Sequence, residues 1–213
     1  PKKALKWIES AVQSKYGPAY QRLGRYYELG IGVEKDLKKA VALYRQGVLE
    51  NDLMALFSLG LCYKNGIGVK MNEKKAFELF EKSASMRLLN AIDMIGVCLR
   101  DGCGVEKNVD QAFELFKFAA SHNDGFGLFH LGQCYQDGIG VEKDLDKAIK
   151  YYQLAADEDI PDAQFFLGYC YHKGVGVKED ITKAMFWYRK AAESNNQDAI
   201  VMLQTLNSGY DMI

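Results

Sequence analysis

Much of what would announce a catalyst or a nucleic-acid binder is scarce in this chain of 213 residues. It has three histidines, His122, His130 and His172, each at a different place in the pattern described below, so no convergent cluster is indicated. No His-x3-His or Cys-x2-Cys pair marks a metal site, and Cys98 with Cys103 is too isolated to count. Neither sign of charge predominates. The 27 basic and 28 acidic side chains leave a formal net charge of −1, which gives no electrostatic reason to expect nucleic acid or an anionic membrane as partner. No apolar run approaches the roughly 20 residues that span a bilayer, so no membrane insertion is expected. No signal peptide is expected in this stretch either, since "PKKALKWIES" goes straight into an amphipathic pattern. The first residue is Pro1 rather than methionine, from which an excised piece of a longer protein is expected.

Disulfides are not expected either. Cys62, Cys98, Cys134 and Cys170 fall 36 residues apart, at one equivalent position of successive repeats, and such positions lie beyond the Cα reach of a disulfide. All five thiols, Cys103 included, read as buried or half-buried groups of a reducing, cytoplasmic compartment.

What is present is a repeat. "GIGVEKD" at Gly30 returns as "GIGVKMN" at Gly66, "GCGVEKN" at Gly102, "GIGVEKD" at Gly138 and "GVGVKED" at Gly174, always 36 residues on. Ahead of each loop stand Ala19, Ala55, Ala91, Gly127 or Ala163, then a Leu-Gly pair (Leu23-Gly24, Leu59-Gly60, Leu131-Gly132, Leu167-Gly168, with Ile95-Gly96 as a variant). A ring follows at Tyr27, Tyr63, Tyr135 and Tyr171, replaced by Leu99 in the third repeat. The four-residue spacing puts one apolar stripe along a helix, here helix A. Behind the loop come the N-cap residues Asp36, Asn72, Asn108, Asp144 and Asp180, then Ala40, Ala76, Ala112, Ala148 and Ala184, then the aromatics Tyr44, Phe80, Phe116, Tyr152 and Tyr188 of helix B.

The loop is read as a joint. Its first glycine falls just past helix A, where positive φ is wanted; the second adds a flexible point, and Val33, Val69, Val105, Val141 and Val177 are expected to plug into the core. A phosphate-binding loop needs a preceding strand and commonly Lys-Ser or Lys-Thr at a helix N-terminus, and neither is here. No cofactor is expected.

The combined pattern, Ala-x3-Leu-Gly-x2-Tyr-x2-Gly-x-Gly-Val-x2-Asp-x3-Ala-x3-Tyr-x2-Ala-Ala, resembles the Sel-1-like repeat, a relative of the tetratricopeptide repeat. The resemblance implies an all-α, right-handed α/α superhelical solenoid. It also implies an adaptor that assembles complexes, as in endoplasmic-reticulum degradation, fungal cell-wall regulation, and bacterial signalling and host interaction. The cysteine-rich bacterial branch of that family carries an intra-repeat disulfide and has been linked to β-lactam binding. Its second cysteine would fall where this chain has Val48, Ala84, Ala120, Ala156 and Ala192, a departure that argues against that branch.

The expected organisation is one solenoid domain: residues 1–16 as helix B of a truncated repeat, repeats at 17–52, 53–88, 89–124, 125–160 and 161–196, and 197–213 as a partial terminal repeat or cap. Trp7 takes the position that Trp187 fills five repeats later, Gln204 replaces the Leu-Gly glycine, and Tyr210 stands where a loop glycine is due.

By analogy with tetratricopeptide geometry, helix A lines the concave face, and function is expected on the positions the pattern leaves free. These are Arg25 in the first repeat, Phe57, Leu61 and Lys64 in the second, and Val97 and Arg100 in the third. Phe126, Phe129 and Gln133 follow in the fourth, and Phe165, Tyr169 and His172 in the fifth. Apolar rows on such a surface mark partner sites, and aromatics dominate hot spots; the cations would frame the groove and pair with acidic groups. The alternative is that the rings pack against the next helix and meet no partner. An adaptor binding a protein or peptide is the first reading and independent catalysis is not expected. A repeat domain regulating a larger enzyme or signalling protein is the second, and a small-ligand, β-lactam-type binder the third.

Overall fold

The computed structural model describes residues 2–210, with the side chains of Lys2 and of residues 207–210 outside the description. The expectations for Pro1, for residues 211–213 and for the Tyr210 side chain therefore lie outside the described residues. Twelve helices and, among the described residues, no strand make this an all-α repeat fold. The chain divides into two compact units, Pro1–Asn108 and Val109–Ile213. Unit 1 holds α1 (Lys2–Gln13), α2 (Gly17–Leu29), α3 (Leu37–Leu49), α4 (Leu53–Asn65), α5 (Glu73–Ser85) and α6 (Leu89–Asp101). Unit 2 holds α7 (Val109–Ser121), α8 (Gly125–Asp137), α9 (Leu145–Asp157), α10 (Pro161–Lys173), α11 (Ile181–Glu193) and α12 (Gln197–Tyr210).

Four helices B begin, and the helices A of the five repeats end, where local chemistry sets the boundary. The Asp36 carboxylate accepts from the Lys39 N–H at 2.9 Å, and Asn72, Asp144 and Asp180 do the same for Lys75, Lys147 and Lys183. An oxygen placed there satisfies a donor that the first helical turn leaves orphaned. At the other end Gly66, φ 69°, returns its N–H to the Cys62 carbonyl, the left-handed cap that only glycine adopts without steric cost. The second loop glycine has a further task beyond flexibility. A Cβ on Gly68 would overlap the Leu37 carbonyl, and one on Gly140 would come within 2.6 Å of the Val109 oxygen. The loops of the second to fifth repeats thus lie directly on the first turn of the preceding helix B. The links from helix B to the next helix A also repeat: Lys15, Asn51, Arg87, Asn123, Asp159 and Asn195 all have φ between 56° and 64°.

The seam inside the first, second, fourth and fifth hairpins is a glycine under a ring. A Cβ on Gly60 would sit 2.6 Å from Phe80 Cε1, and one on Gly132 would sit 2.7 Å from Tyr152 Cδ1. That close approach lets Tyr44, Phe80, Tyr152 and Tyr188 bury completely. In unit 1 the core gathers Val41, Tyr44, Leu59, Cys62, Tyr63 and Phe80, with Val69 and Val105 half-buried against it. In unit 2, Tyr188, Ala184, Ala191 and Ala199 form the equivalent cluster, with Phe165, Leu203 and Leu206 packed on it. Lysines in the first turn of helix B cover the loop-side rings: Lys39 lies over Tyr27 at 4.1 Å, Lys75 over Tyr63 at 4.5 Å and Lys183 over Tyr171 at 5.1 Å.

Candidate interaction surface

The helix-A face is shaped by what helix B buries beneath it. In unit 1 the Tyr44 hydroxyl donates to Glu28 Oε2 at 2.5 Å. In unit 2 the Tyr152 hydroxyl donates to Gln136 Oε1 at 3.1 Å, and the Tyr188 hydroxyl lies 3.3 Å from His172 Nδ1. A buried phenol needs a partner, and each comes from the helix-A residue sixteen positions earlier. Where helix B carries Phe80 or Phe116 there is no hydroxyl to satisfy, and that position holds Lys64 or Arg100. The residue pairs that sequence reasoning missed were therefore signalled in the chain itself: Tyr goes with an acceptor, Phe with a cation.

Burial, reinforced by the Glu28 hydrogen bond and charge, pushes the Tyr44 phenol far above its ordinary range. Burial and then Glu28 push the Cys62 thiol up to about 12. Burial, and then Lys173, hold the His172 imidazole below its usual value. These groups are poor nucleophiles and poor bases at neutral pH. Among the described residues no three His, Cys, Asp or Glu side chains form a metal-holding group, and no disulfide joins the cysteines. No described helix is long and apolar enough to cross a membrane.

The residues singled out from the sequence divide unevenly. In unit 1, Arg25 is exposed, while Leu61 and Lys64 are half-buried. Arg25 and Leu61 border a small hollow of about 130 Å³ together with Gln21, Glu28, Tyr44 and Ser58. Phe57 is half-buried with its ring 5.7 Å from that of Phe80. Arg100 is held by a two-pronged ion pair to Asp101, at 2.7 and 3.0 Å. Val97 is buried at 6% exposure and offers no surface.

In unit 2, Phe126 and Tyr169 stay 40% and 41% exposed. Phe129 does not: it packs between His130, Tyr152 and Phe166, with centroids 5.3 to 5.8 Å apart. Phe165 is half-buried between Phe166 and Tyr188, and Gln133 and His172 are half-buried. The row of three phenylalanines expected on an open surface is thus one buried ring and two half-buried ones, because Phe80, Phe166 and Tyr188 turn it inward. Gln164 on α10 is also buried, donating to the Ala156 carbonyl at 3.2 Å while its Oε1 finds no partner.

The Sel1 repeat model matches at residues 17–52, 53–87, 90–124, 126–160 and 161–196. Among solved structures, a Sel1 repeat protein from Oxalobacter formigenes is 31% identical, with a TM-score of 0.75 over 95% of this chain and 83% of that one. A protective antigen with an SLR fold from uropathogenic Escherichia coli is 30% identical, with a TM-score of 0.63 over 95% of this chain and 44% of that one. Helicobacter pylori cysteine rich protein B is 29% identical, with a TM-score of 0.50 over 62% of this chain and 98% of that one. No match was found among curated protein sequences. Sel1 repeat proteins are in general non-catalytic scaffolds for protein–protein interaction. With five matched repeats covering most of its length, the chain belongs to the Sel1 repeat family.

Proposed function

We propose that the chain is a scaffold that binds a partner protein or peptide through side chains on its helices A. The observation that carries this is the exposure of Phe126 on α8 and Tyr169 on α10, two rings that the packing of unit 2 leaves in solvent. Aromatic side chains left in that position supply large contact area at little entropic cost, which is why they dominate binding hot spots. Half-buried Phe165, Gln133 and His172 stand on the same two helices. In unit 1 the offering is different: Arg25 and Lys64 are cations beside half-buried Phe57 and Leu61, suited to acidic and apolar groups of a partner.

The test captures partners from a native lysate with three proteins: the parent chain, a Phe126→Glu, Tyr169→Glu version and an Arg25→Glu, Lys64→Glu version. All three should show the same helical circular dichroism. A partner held by the parent chain and lost with either substituted pair supports the reading. Retention of every partner by both substituted proteins would overturn it.

A further inference from the structure

The helices A of the five repeats close alike. The residue after the first loop glycine returns its N–H to the carbonyl five residues back: Ile31 to Tyr26, Ile67 to Cys62, Cys103 to Cys98, Ile139 to Cys134 and Val175 to Cys170, at 2.9 to 3.0 Å. Such a bond, beside a glycine in the left-handed region, commonly brings the side chains of its two residues together. In the second, fourth and fifth repeats the pair is a buried cysteine and an aliphatic residue. In the third repeat both positions carry sulfur.

The backbone limits how far apart these two residues can be. Adding the Cα-to-oxygen and nitrogen-to-Cα legs to the 3.0 Å bond between Cys103 and Cys98 keeps their Cα atoms within about 7 Å, the reach of a disulfide. Cys98 belongs to the core of unit 1 at 1% exposure, and Cys103 packs half-buried against that core. Burial, and then the Cys103 sulfur, push the Cys98 thiol up to about 11, so each sulfur feels the other's charge. Burial, then Glu73 and Asp101, raise the Cys103 thiol, against the pull of Lys64 and Arg100.

We infer that Cys98 and Cys103 form a reversible disulfide across the end of α6, made by exchange with a small-molecule disulfide. Cys103, the more accessible member, attacks first as its thiolate. It bonds to one sulfur of the oxidant, and the other half of the oxidant leaves as a thiolate. The Cys98 thiolate then attacks Cys103 Sγ from within the core and expels the second half. The chain gives up two electrons and two protons, and the oxidant becomes two thiols. The bridge ties the last turn of α6 to a loop whose next residue, Gly104, lies on the Glu73 carbonyl of α5. It is a different pairing from that of the cysteine-rich branch, whose second position in this repeat holds Ala120. The inference goes beyond the scaffold reading and does not rest on it.

The test equilibrates the purified chain with oxidised and reduced glutathione, blocks the remaining thiols on denaturation, and digests with trypsin without reduction. Cleavage after Arg87, Arg100 and Lys107 separates the two cysteines. The bridge then appears by mass as peptides 88–100 and 101–107 joined, two hydrogens lighter than their sum. Cys103→Ile, which copies Ile67 and Ile139, should abolish it with helical circular dichroism unchanged. A synthetic peptide of residues 96–105, "GVCLRDGCGV", supplies the unfolded reference in the same buffer. The folded chain should favour the bridge over that peptide by about tenfold or more, as groups held at high effective concentration do. Four results would each overturn the inference: no joined peptides, Cys103 halted as a mixed disulfide with glutathione, a Cys103 link between two copies, or a bridge no more favoured in the chain than in the peptide.

Discussion

The helix-A position one turn past the Leu-Gly pair is charged throughout unit 1 and neutral in unit 2. Unit 1 has Glu28, Lys64 and Arg100 there; unit 2 has Gln136 and His172. Part of the difference follows the rings of helix B, tyrosine or phenylalanine. Glu28 takes the Tyr44 proton donor, Lys64 stands over a repeat whose ring has no hydroxyl, and Gln136 and His172 satisfy Tyr152 and Tyr188 without charge. Whether this position holds a hydrogen-bond partner or a cation therefore tracks one oxygen atom in the core; whether the partner is charged does not, since Glu28, Gln136 and His172 all stand on a tyrosine. Unit 1 turns a charged face outward and unit 2 a neutral, aromatic one.

The bluntest way to break the comparison is to hollow each unit in turn. Leu59→Ala in unit 1 and Leu131→Ala in unit 2 are each expected to cost roughly 2–5 kcal/mol, the penalty for truncating a buried leucine. The tryptophans lie one in each unit, so urea unfolding followed in Trp187→Phe and Trp7→Phe backgrounds reads them separately. Equal shifts of both reporters by either substitution would mean one cooperative transition; a shift confined to the substituted unit would mean two.

A finer test exchanges the chemistry of one repeat for that of its neighbour. Glu28→Ala strands the Tyr44 hydroxyl and is expected to cost about 1–3 kcal/mol, the usual weight of a buried donor left unmet. Glu28→Lys combined with Tyr44→Phe rebuilds the Lys64–Phe80 arrangement and should recover most of that loss in a urea titration read at Trp7. If the double substitution is no more stable than Glu28→Ala, the pairing rule is wrong.

The smallest effect is expected from His172. Its pKa is lowered in the folded chain from the ordinary value of 6.5, so the neutral ring is favoured by folding. The corresponding stability is complete above that value and is lost as pH falls through it toward the lowered pKa. Unit 2, read at Trp187, should lose a little stability as pH falls below about 6.5. His172→Gln, which copies Gln136, should flatten that slope. An unchanged slope would assign it to other groups.

The regular parts of the fold are legible in the sequence because they depend on near neighbours. Asp36 meets an N–H three residues on, Gly66 caps a carbonyl four residues back, and both recur every 36 residues. The surface was harder to read. Phe129 and Tyr169 both stand on the helix-A face, and nothing in their local pattern says that Phe166 will draw the first inward while the second stays in water. Val97 was lost to the surface for the same reason. The role of Gly68 was half visible: its positive φ follows from the loop, but its contact is with the carbonyl of Leu37, on the preceding helix B. The Tyr–acceptor pairs were present in the letters, at a separation no single helix or loop would bring to attention.

The thiols placed one to a repeat give the chain a built-in clock. Cys62, Cys98, Cys134 and Cys170 are each at most 1% exposed, and burial pushes Cys98 and Cys170 up to about 11. Alkylation needs both access and thiolate, so in the native chain each of these sulfurs waits for its own repeat to open. Mass spectrometry of a timed iodoacetamide pulse would then read the opening of the second, third, fourth and fifth repeats as four separate rates, from a protein carrying no added label.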